Sequence, residues 1–313
     1  MGNYLTIDGG TTNTRIYLVL NGKMVDSVRF GIGSVGGKEN SERLKAAVKE
    51  GISELLARNS KREDEIERIL ASGMITSDGG LCPLTHLLAP CGLSELAQAS
   101  YDCALLEIST IPFTFLRGVR TESDMMRGEE TELMGLCKED SGDTLYVLPG
   151  SHTKLIRIDV DGRICEISTE LTGEMLRALS EGTILRESVT LQREFDKECL
   201  LRGYRRAEEK GLNSALFGVR ILDRLEGASS LQTYSFFLGA IYASEVKNIL
   251  RSSAERIVIG GKSALREPLV YLLRANGATS VEEISEEDAD GATVKGAIKI
   301  YEYARRESHG TAV

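Results

Sequence analysis

The chain has 313 residues, long for one core and comfortable for two domains. Hydrophobic residues at 42% and charged residues at 27% exclude disordered and fibrous classes, and a net charge of -9 argues against a nucleic-acid backbone binder, which needs clustered Lys and Arg. No apolar run approaches the roughly 18 residues of a membrane-spanning helix. The six cysteines, without a C-x-x-C pair, suit a reducing cytosol rather than a zinc site or a disulfide framework.

Residues 3–7 read as a buried strand, 8–13 as a polar Gly/Thr turn and 14–20 as a second strand. Asn21-Gly22 is a tight-turn pair and predicts a third antiparallel strand over 24–30. Leu44, Val48, Ile52, Leu55 and Leu56 then recur at helical spacing over 41–57. Residues 66–71 and 111–116 read as further strands. After Ser141-Gly142 the order begins again, with a strand at 144–148, a polar turn at 149–154, a strand at 155–158, the Asp161-Gly162 turn, a strand at 163–169 and a helix from 173. Arg202, Arg205, Arg206 and Lys210, interrupted by Glu208 and Glu209, read as a solvated helix face. A strand at 256–259, a helix at 264–276 and a strand at 281–284 follow. Ser285 with Asp288 makes a capping-box signature before a last helix whose inner stripe is Val294, Ala297, Ile298, Tyr301 and Ala304.

This repeated strand–turn–strand–turn–strand–helix order is not that of a doubly wound dinucleotide domain. It resembles the duplicated ribonuclease-H-like unit of the actin, hexokinase and sugar-kinase superfamily, an α/β fold of two such domains around a nucleotide cleft. The expected division is an N-terminal domain at 1–137, carrying the first phosphate loop and the substrate, with the helix at 293–313 packing on it. A C-terminal domain at 138–292 would carry the second phosphate loop and an adenosine site.

Asp8 ends a buried strand, where a carboxylate can hold Mg²⁺ through water. Gly9 and Gly10 let backbone N–H groups approach phosphate oxygens, and Thr11, Thr12 and Asn13 complete a polar loop. In the second turn Gly150, Ser151, His152 and Thr153 form the matching phosphate loop. Lys154 can reach the transferred phosphoryl group as a charge-assisted donor. Gly260, Gly261 and Lys262 follow an apolar strand, but a P-loop would need Gly where Arg256 stands, so they are read as an adenosine site, with a plain strand-to-helix turn as the alternative. Residues 31–36 match G-x-G-x-x-G yet follow an antiparallel strand, which points to a loop near the substrate mouth rather than a cofactor site. In 122–131, Asp124 can accept a proton from a substrate hydroxyl and Arg127 can clamp a carboxylate, against the alternative of a solvated helix start.

Together these segments resemble the 2-dehydro-3-deoxygalactonokinase family of sugar-acid kinases. The likeness rests on residues 8–13 (DGGTTN), 71–75 (ASGMI), 124–131 (DMMRGEET), 148–154 (LPGSHTK) and 171–174 (LTGE). The resemblance implies ATP with Mg²⁺, and 2-keto-3-deoxygalactonate phosphorylated at its 6-hydroxyl in galactonate breakdown. It also implies Asp124 as the base and substrate contacts from Gly73, Met74, Arg127 and Glu129. The chain departs from the family in having no Trp, and in Ser77-Asp78-Gly79-Gly80-Leu81 where a Gln-Gly-Trp segment is usual. A kinase of another hexose, hexosamine or aldonic acid and a non-enzymatic actin-like ATP switch are the alternatives. Partners are expected to be small molecules, with no nucleic acid and no membrane, and a homodimer is left open.

Overall fold

Alternating apolar residues along the first thirty positions form a meander of β1 (Tyr4–Gly9), β2 (Thr14–Leu20) and β3 (Lys23–Phe30) in the computed structural model, which describes residues 2–34, 38–138, 142–261 and 263–310. Asn21 and Gly22 both take positive φ in the turn joining β2 to β3, the conformation an Asn-Gly pair tolerates best. The helix α1 (Lys38–Arg58) puts Leu44, Val48, Ile52 and Leu55 into one buried cluster with Leu5, Ile7, Ile16 and Leu18. Each such side chain contributes about 1.5–3 kcal/mol on leaving water.

The chain continues through β4 (Arg68–Gly73), β5 (Leu87–Leu88), α2 (Leu93–Gln98), β6 (Tyr101–Cys103), β7 (Phe113–Phe115), β8 (Val119–Arg120), β9 (Met125–Met126) and α3 (Glu129–Leu136). Its main sheet runs β3-β2-β1-β4-β7-β6, with β1, β4 and β7 parallel. Then come β10 (Thr144–Leu148), β11 (Thr153–Ile158), β12 (Ile164–Glu170), α4 (Thr172–Gly182), α5 (Lys197–Lys210), α6 (Leu212–Arg224), α7 (Ser230–Arg251), β13 (Arg256–Ile259), α8 (Ser263–Ala275) and β14 (Val281–Glu283). Here the sheet order is β12-β11-β10-β13-β14, with β10, β13 and β14 parallel. Both sheets therefore set an antiparallel pair beside parallel strands in the same order. The last helix, α9 (Glu286–Gly310), stacks Tyr301 edge-on against Tyr4 of β1 at 5.7 Å between ring centroids.

Two compact units result: Met1–Ser141 with Gly162–Ile167 and Glu287–Val313, and Gly142–Asp161 with Ser168–Glu286. The second has its own core, in which Val147 of β10 shares a cluster with Leu200, Phe237, Val246 and Leu272 of α5, α7 and α8. No helix among the described residues is long and apolar enough to cross a membrane.

Three local expectations change. Thr153 and Lys154 belong to β11 rather than to the turn, because Lys154 pairs with Leu148 across the antiparallel ladder. Asp124 lies in the turn before β9 and not at a helix start, since α3 begins only at Glu129. The inner stripe of α9 includes Ala292 and Ile300, both 0% exposed, whereas Ile298 and Ala304 are half-buried. Lys262, Val35 and Gly36 lie outside the described residues.

Candidate functional site

In the first unit the chemistry gathers at the carboxyl ends of β1 and β4, where open α/β sheets bind their ligands. Asp8 is half-buried and stands in register with Arg15 on β2 and Ser72 on β4. Burial pushes its carboxyl above the ordinary range, and the Arg15 charge opposes the rise. Ser72 Oγ, on the strand next to Asp8, is buried without a hydrogen-bond partner among the described residues.

The loop after Asp8 is closed by Gly10 N–H donating to Asn13 O at 2.8 Å. Thr11 and Thr12 are exposed, and Asn13 Nδ2 donates to Thr12 Oγ1 at 2.8 Å. Residues 31–34 brace this loop from behind. Ser34 N–H donates to Gly10 O at 3.1 Å, and Thr14 Oγ1 donates to Ile32 O at 2.8 Å. This bracing is the role the structure gives to the described part of the G-x-G-x-x-G segment.

Gly73 takes φ +83° and lies so close to Gly9 that a Cβ would collide with the Gly9 carbonyl. Only glycine meets both demands. Half-buried Met74 follows in a short turn, and Gly128 sits against the Gly73 Cα. The first loop, the Gly73-Met74 turn and the start of α3 are thus brought together.

Arg127 is committed to its own unit. Its Nη1 donates to Thr76 O at 2.7 Å and Thr76 Oγ1 at 2.6 Å, and its Nη2 donates to Leu84 O at 3.1 Å. Nη2 also lies 3.3 Å from His86 Nδ1. An Arg donor leaves that nitrogen as the acceptor, so the proton of neutral His86 sits on Nε2. Burial, Arg127 and Arg120 push His86 down to about 4.

Asp124 is half-buried; its Oδ1 accepts from Met125 N–H at 2.7 Å, and its own N–H donates to Thr121 Oγ1 at 2.9 Å. Glu129 Oε2 accepts from Arg127 N–H at 3.0 Å. Two acids on α3 went unmarked in the sequence reading. Glu130 is fully buried, accepts from Gly128 N–H at 2.8 Å and 2.9 Å, and is pushed up to about 8 by burial and by Glu129. Glu132 is pushed up to about 8 by burial, Glu129 and Asp8. The signal was present in the spacing, because Glu130 precedes inward-facing Leu133 by three residues.

In the second unit the matching positions are the carboxyl ends of β10 and β13. Ser151 and His152 are exposed, while Thr153 and Lys154 are buried at 0% and 6% exposure. The Lys154 ammonium donates to Thr169 Oγ1 at 2.7 Å. Residues 171–174 form the floor of the loop: Gly173 N–H donates to Gly150 O at 3.2 Å and Glu174 N–H to Ser151 O at 3.0 Å. A Cβ at Gly173 would fall 2.9 Å from the Ser151 Cα, so the close fit requires glycine. His152 Nε2 lies 2.6 Å from Glu174 Oε2. Gly260 N–H continues the parallel ladder to Val147 O at 2.8 Å, which sets Gly260 and Gly261 beside Leu148 and Pro149 at the entry to the loop.

A family model described as 2-keto-3-deoxy-galactonokinase matches residues 8–300. A protein of Rhizobium meliloti (strain 1021), named as a probable 2-dehydro-3-deoxygalactonokinase, is 24% identical over 261 residues, 80% of this chain and 82% of that one. The 2-dehydro-3-deoxygalactonokinase of Escherichia coli (strain K12) is 26% identical over 257 residues, 79% of this chain and 80% of that one. Among solved structures, a Sinorhizobium meliloti protein assigned to the same activity superposes with a TM-score of 0.79 at 23% identity, covering 96% of this chain and 98% of that one. The activator of 2-hydroxyisocaproyl-CoA dehydratase from Clostridium difficile, solved with bound ADPNP, superposes at 0.52 with 13% identity over 98% and 97% of the two chains. These likenesses establish the actin-like ATPase and sugar-kinase fold, built from two ribonuclease-H-like units.

Proposed function

The chain belongs to the 2-keto-3-deoxy-galactonokinase family and phosphorylates this sugar acid with ATP, and from that premise we propose how its residues divide the reaction. The acceptor is the 6-hydroxyl, and the step serves galactonate breakdown in the cytosol. The observation that carries the residue assignment is the close approach of Gly9, Gly73 and Gly128, which gathers the first loop, the Gly73-Met74 turn and α3 at the carboxyl ends of parallel strands.

Gly9 to Asn13 and Gly150 to Thr153 supply backbone donors for phosphate, with hydroxyls from Thr11, Thr12 and Ser151 while the buried Thr153 hydroxyl faces inward, and Gly260, Gly261 and Lys262 form the adenosine side. The Asp8 carboxylate with the Ser72 hydroxyl on the neighbouring strand is an all-oxygen donor set, which fits Mg²⁺ held largely through water. When bound, that ion would neutralise charge on the transferred phosphate. Lys154 adds a positive charge at the second loop, from an ammonium that Thr169 holds.

Asp124 takes the proton of the attacking hydroxyl. The turn that accepts and donates through Thr121 and Met125 fixes its carboxylate. Arg127 and Glu129 shape the sugar-acid side together with Gly73 and Met74. Arg127 does so by tying Thr76 and Leu84 in place, around the segment where this chain departs from the family in residues 77–81. A coupled ADP-release assay over a panel of sugars and sugar acids tests the reading. The expected result is highest kcat/KM with 2-keto-3-deoxygalactonate, and a neutral hexose as best substrate would overturn it.

A further inference from the structure

Beneath the second loop lies a carboxyl that the reaction outlined above leaves unused. Glu245 stands on α7 in an inward stripe with Leu238, Tyr242 and Ile249 and is 1% exposed. One of its oxygens, Oε2, accepts a hydrogen bond from Thr172 Oγ1 at the start of α4. Thr172 opens the same turn whose Gly173 and Glu174 N–H groups hold the carbonyls of Gly150 and Ser151. From β11, the Thr153 hydroxyl faces the same carboxyl and favours its charged form. Yet Glu245 Oε1 and Thr153 Oγ1 each lack a partner in hydrogen-bond geometry among the described residues. Two buried polar atoms with unmet hydrogen bonds are costly to leave unpaired.

We propose that Glu245 is a positioning residue for the second phosphate loop, joining the floor of the loop at Thr172 to its inner strand at Thr153. The proposal rests on the reading of residues 150–154 as a phosphate loop. A neutral carboxylic acid suits this place because it carries no charge into the interior, and its two oxygens can still pair with the Thr172 and Thr153 hydroxyls. An ionised carboxylate could accept from both hydroxyls as well, but it would set a buried negative charge under a loop meant for phosphate.

The surroundings favour the neutral form. Burial and the Glu170 carboxylate on β12 push Glu245 up to about 8, against the hydroxyls of Thr172 and Thr153. Glu170 itself is held by Asn248 Nδ2 at 2.6 Å. The other titratable neighbour among the described residues is Tyr242 on the same helix, whose hydroxyl donates to Leu265 O at 2.8 Å. Ionisation of Glu245 should therefore set a negative charge against bound phosphate and weaken nucleotide binding.

The test is equilibrium titration of the whole protein with a fluorescent ADP analogue and Mg²⁺, from about pH 6 to about pH 9.5, beside initial rates against ATP and sugar acid. Wild-type Kd should rise above pH ~8, by up to about tenfold per unit. Glu245→Ala should raise Kd and the KM for ATP several-fold while leaving the KM for the sugar acid unmoved. Glu245→Gln should restore tight binding and abolish the alkaline weakening, because an amide stays neutral. If Glu245→Ala does not fold, the slope of Glu245→Gln against wild type decides alone. An alkaline weakening as steep in Glu245→Gln as in wild type overturns the proposal, as does Glu245→Ala binding like wild type. Wild type that binds no nucleotide analogue at any pH overturns the loop assignment itself, and the proposal with it.

Discussion

Arg127 Nη1 donates to both oxygens of Thr76, the carbonyl at 2.7 Å and the hydroxyl at 2.6 Å. With Nη2 on Leu84 O, one planar guanidinium holds both flanks of residues 77–81. Lys cannot reproduce this fork. Arg127→Lys and Arg127→Ala should both lower stability, by about 1–3 kcal/mol for the orphaned buried acceptors, and raise the KM for the sugar acid. Thermal melting together with kinetics checks this. An unchanged melting temperature with a raised KM would instead make Arg127 a direct clamp on the substrate.

Asp8→Asn should separate function from stability. The Asp8 carboxyl is raised by burial, so its ionisation costs folding free energy as pH climbs past the ordinary carboxylate range. The amide removes that cost. Melting at neutral pH should be unchanged or higher, while Mg-dependent turnover is lost. A variant that keeps normal turnover would remove Asp8 from the metal role.

Asp124→Asn keeps the side-chain shape and removes the proton acceptor. It should cut kcat by about 10²–10⁴-fold, with ATP affinity nearly unchanged, as expected for a positioned general base. Near-full kcat would send the search to the acids of α3, Glu130 and Glu132, both within the same unit.

Glu130 makes a pH prediction. Its carboxyl rises from an ordinary 4.5 to about 8 in the folded chain. The stability tied to its neutral form is fully present below pH ~4.5 and is lost as pH rises through about 8. Glu130→Gln should flatten that loss, gaining on the order of 2–4 kcal/mol over wild type at about pH 9 relative to about pH 5. Melting curves of the two proteins at both pH values provide the check. Parallel slopes would show that Glu130 is already ionised at neutral pH.

Local chemistry was legible in the amino-acid sequence because each piece depends on its immediate neighbours. Asn21-Gly22 dictates a tight hairpin through positive φ, and the stripe from Leu44 to Leu56 dictates a helix facing the first sheet. The Gly/Thr and Gly/Ser turns after the first strand of each half marked both loops, and their recurrence marked the duplicated fold. What tertiary structure alone decided is which way the polar groups at those loops point, and what they meet. Thr153 reads as a loop hydroxyl, yet it faces inward because pairing of Lys154 with Leu148 draws both residues into β11. Arg127 reads as a free clamp, yet the chain folds Thr76 and Leu84 onto it. Glu130 and Glu245 each lie on an inward helical stripe, but the stripe cannot say whether a buried acid will meet a hydroxyl, an N–H or another acid. That depends on partners from other elements (Thr172 lies 73 positions from Glu245), and burial then sets the charge each acid can carry.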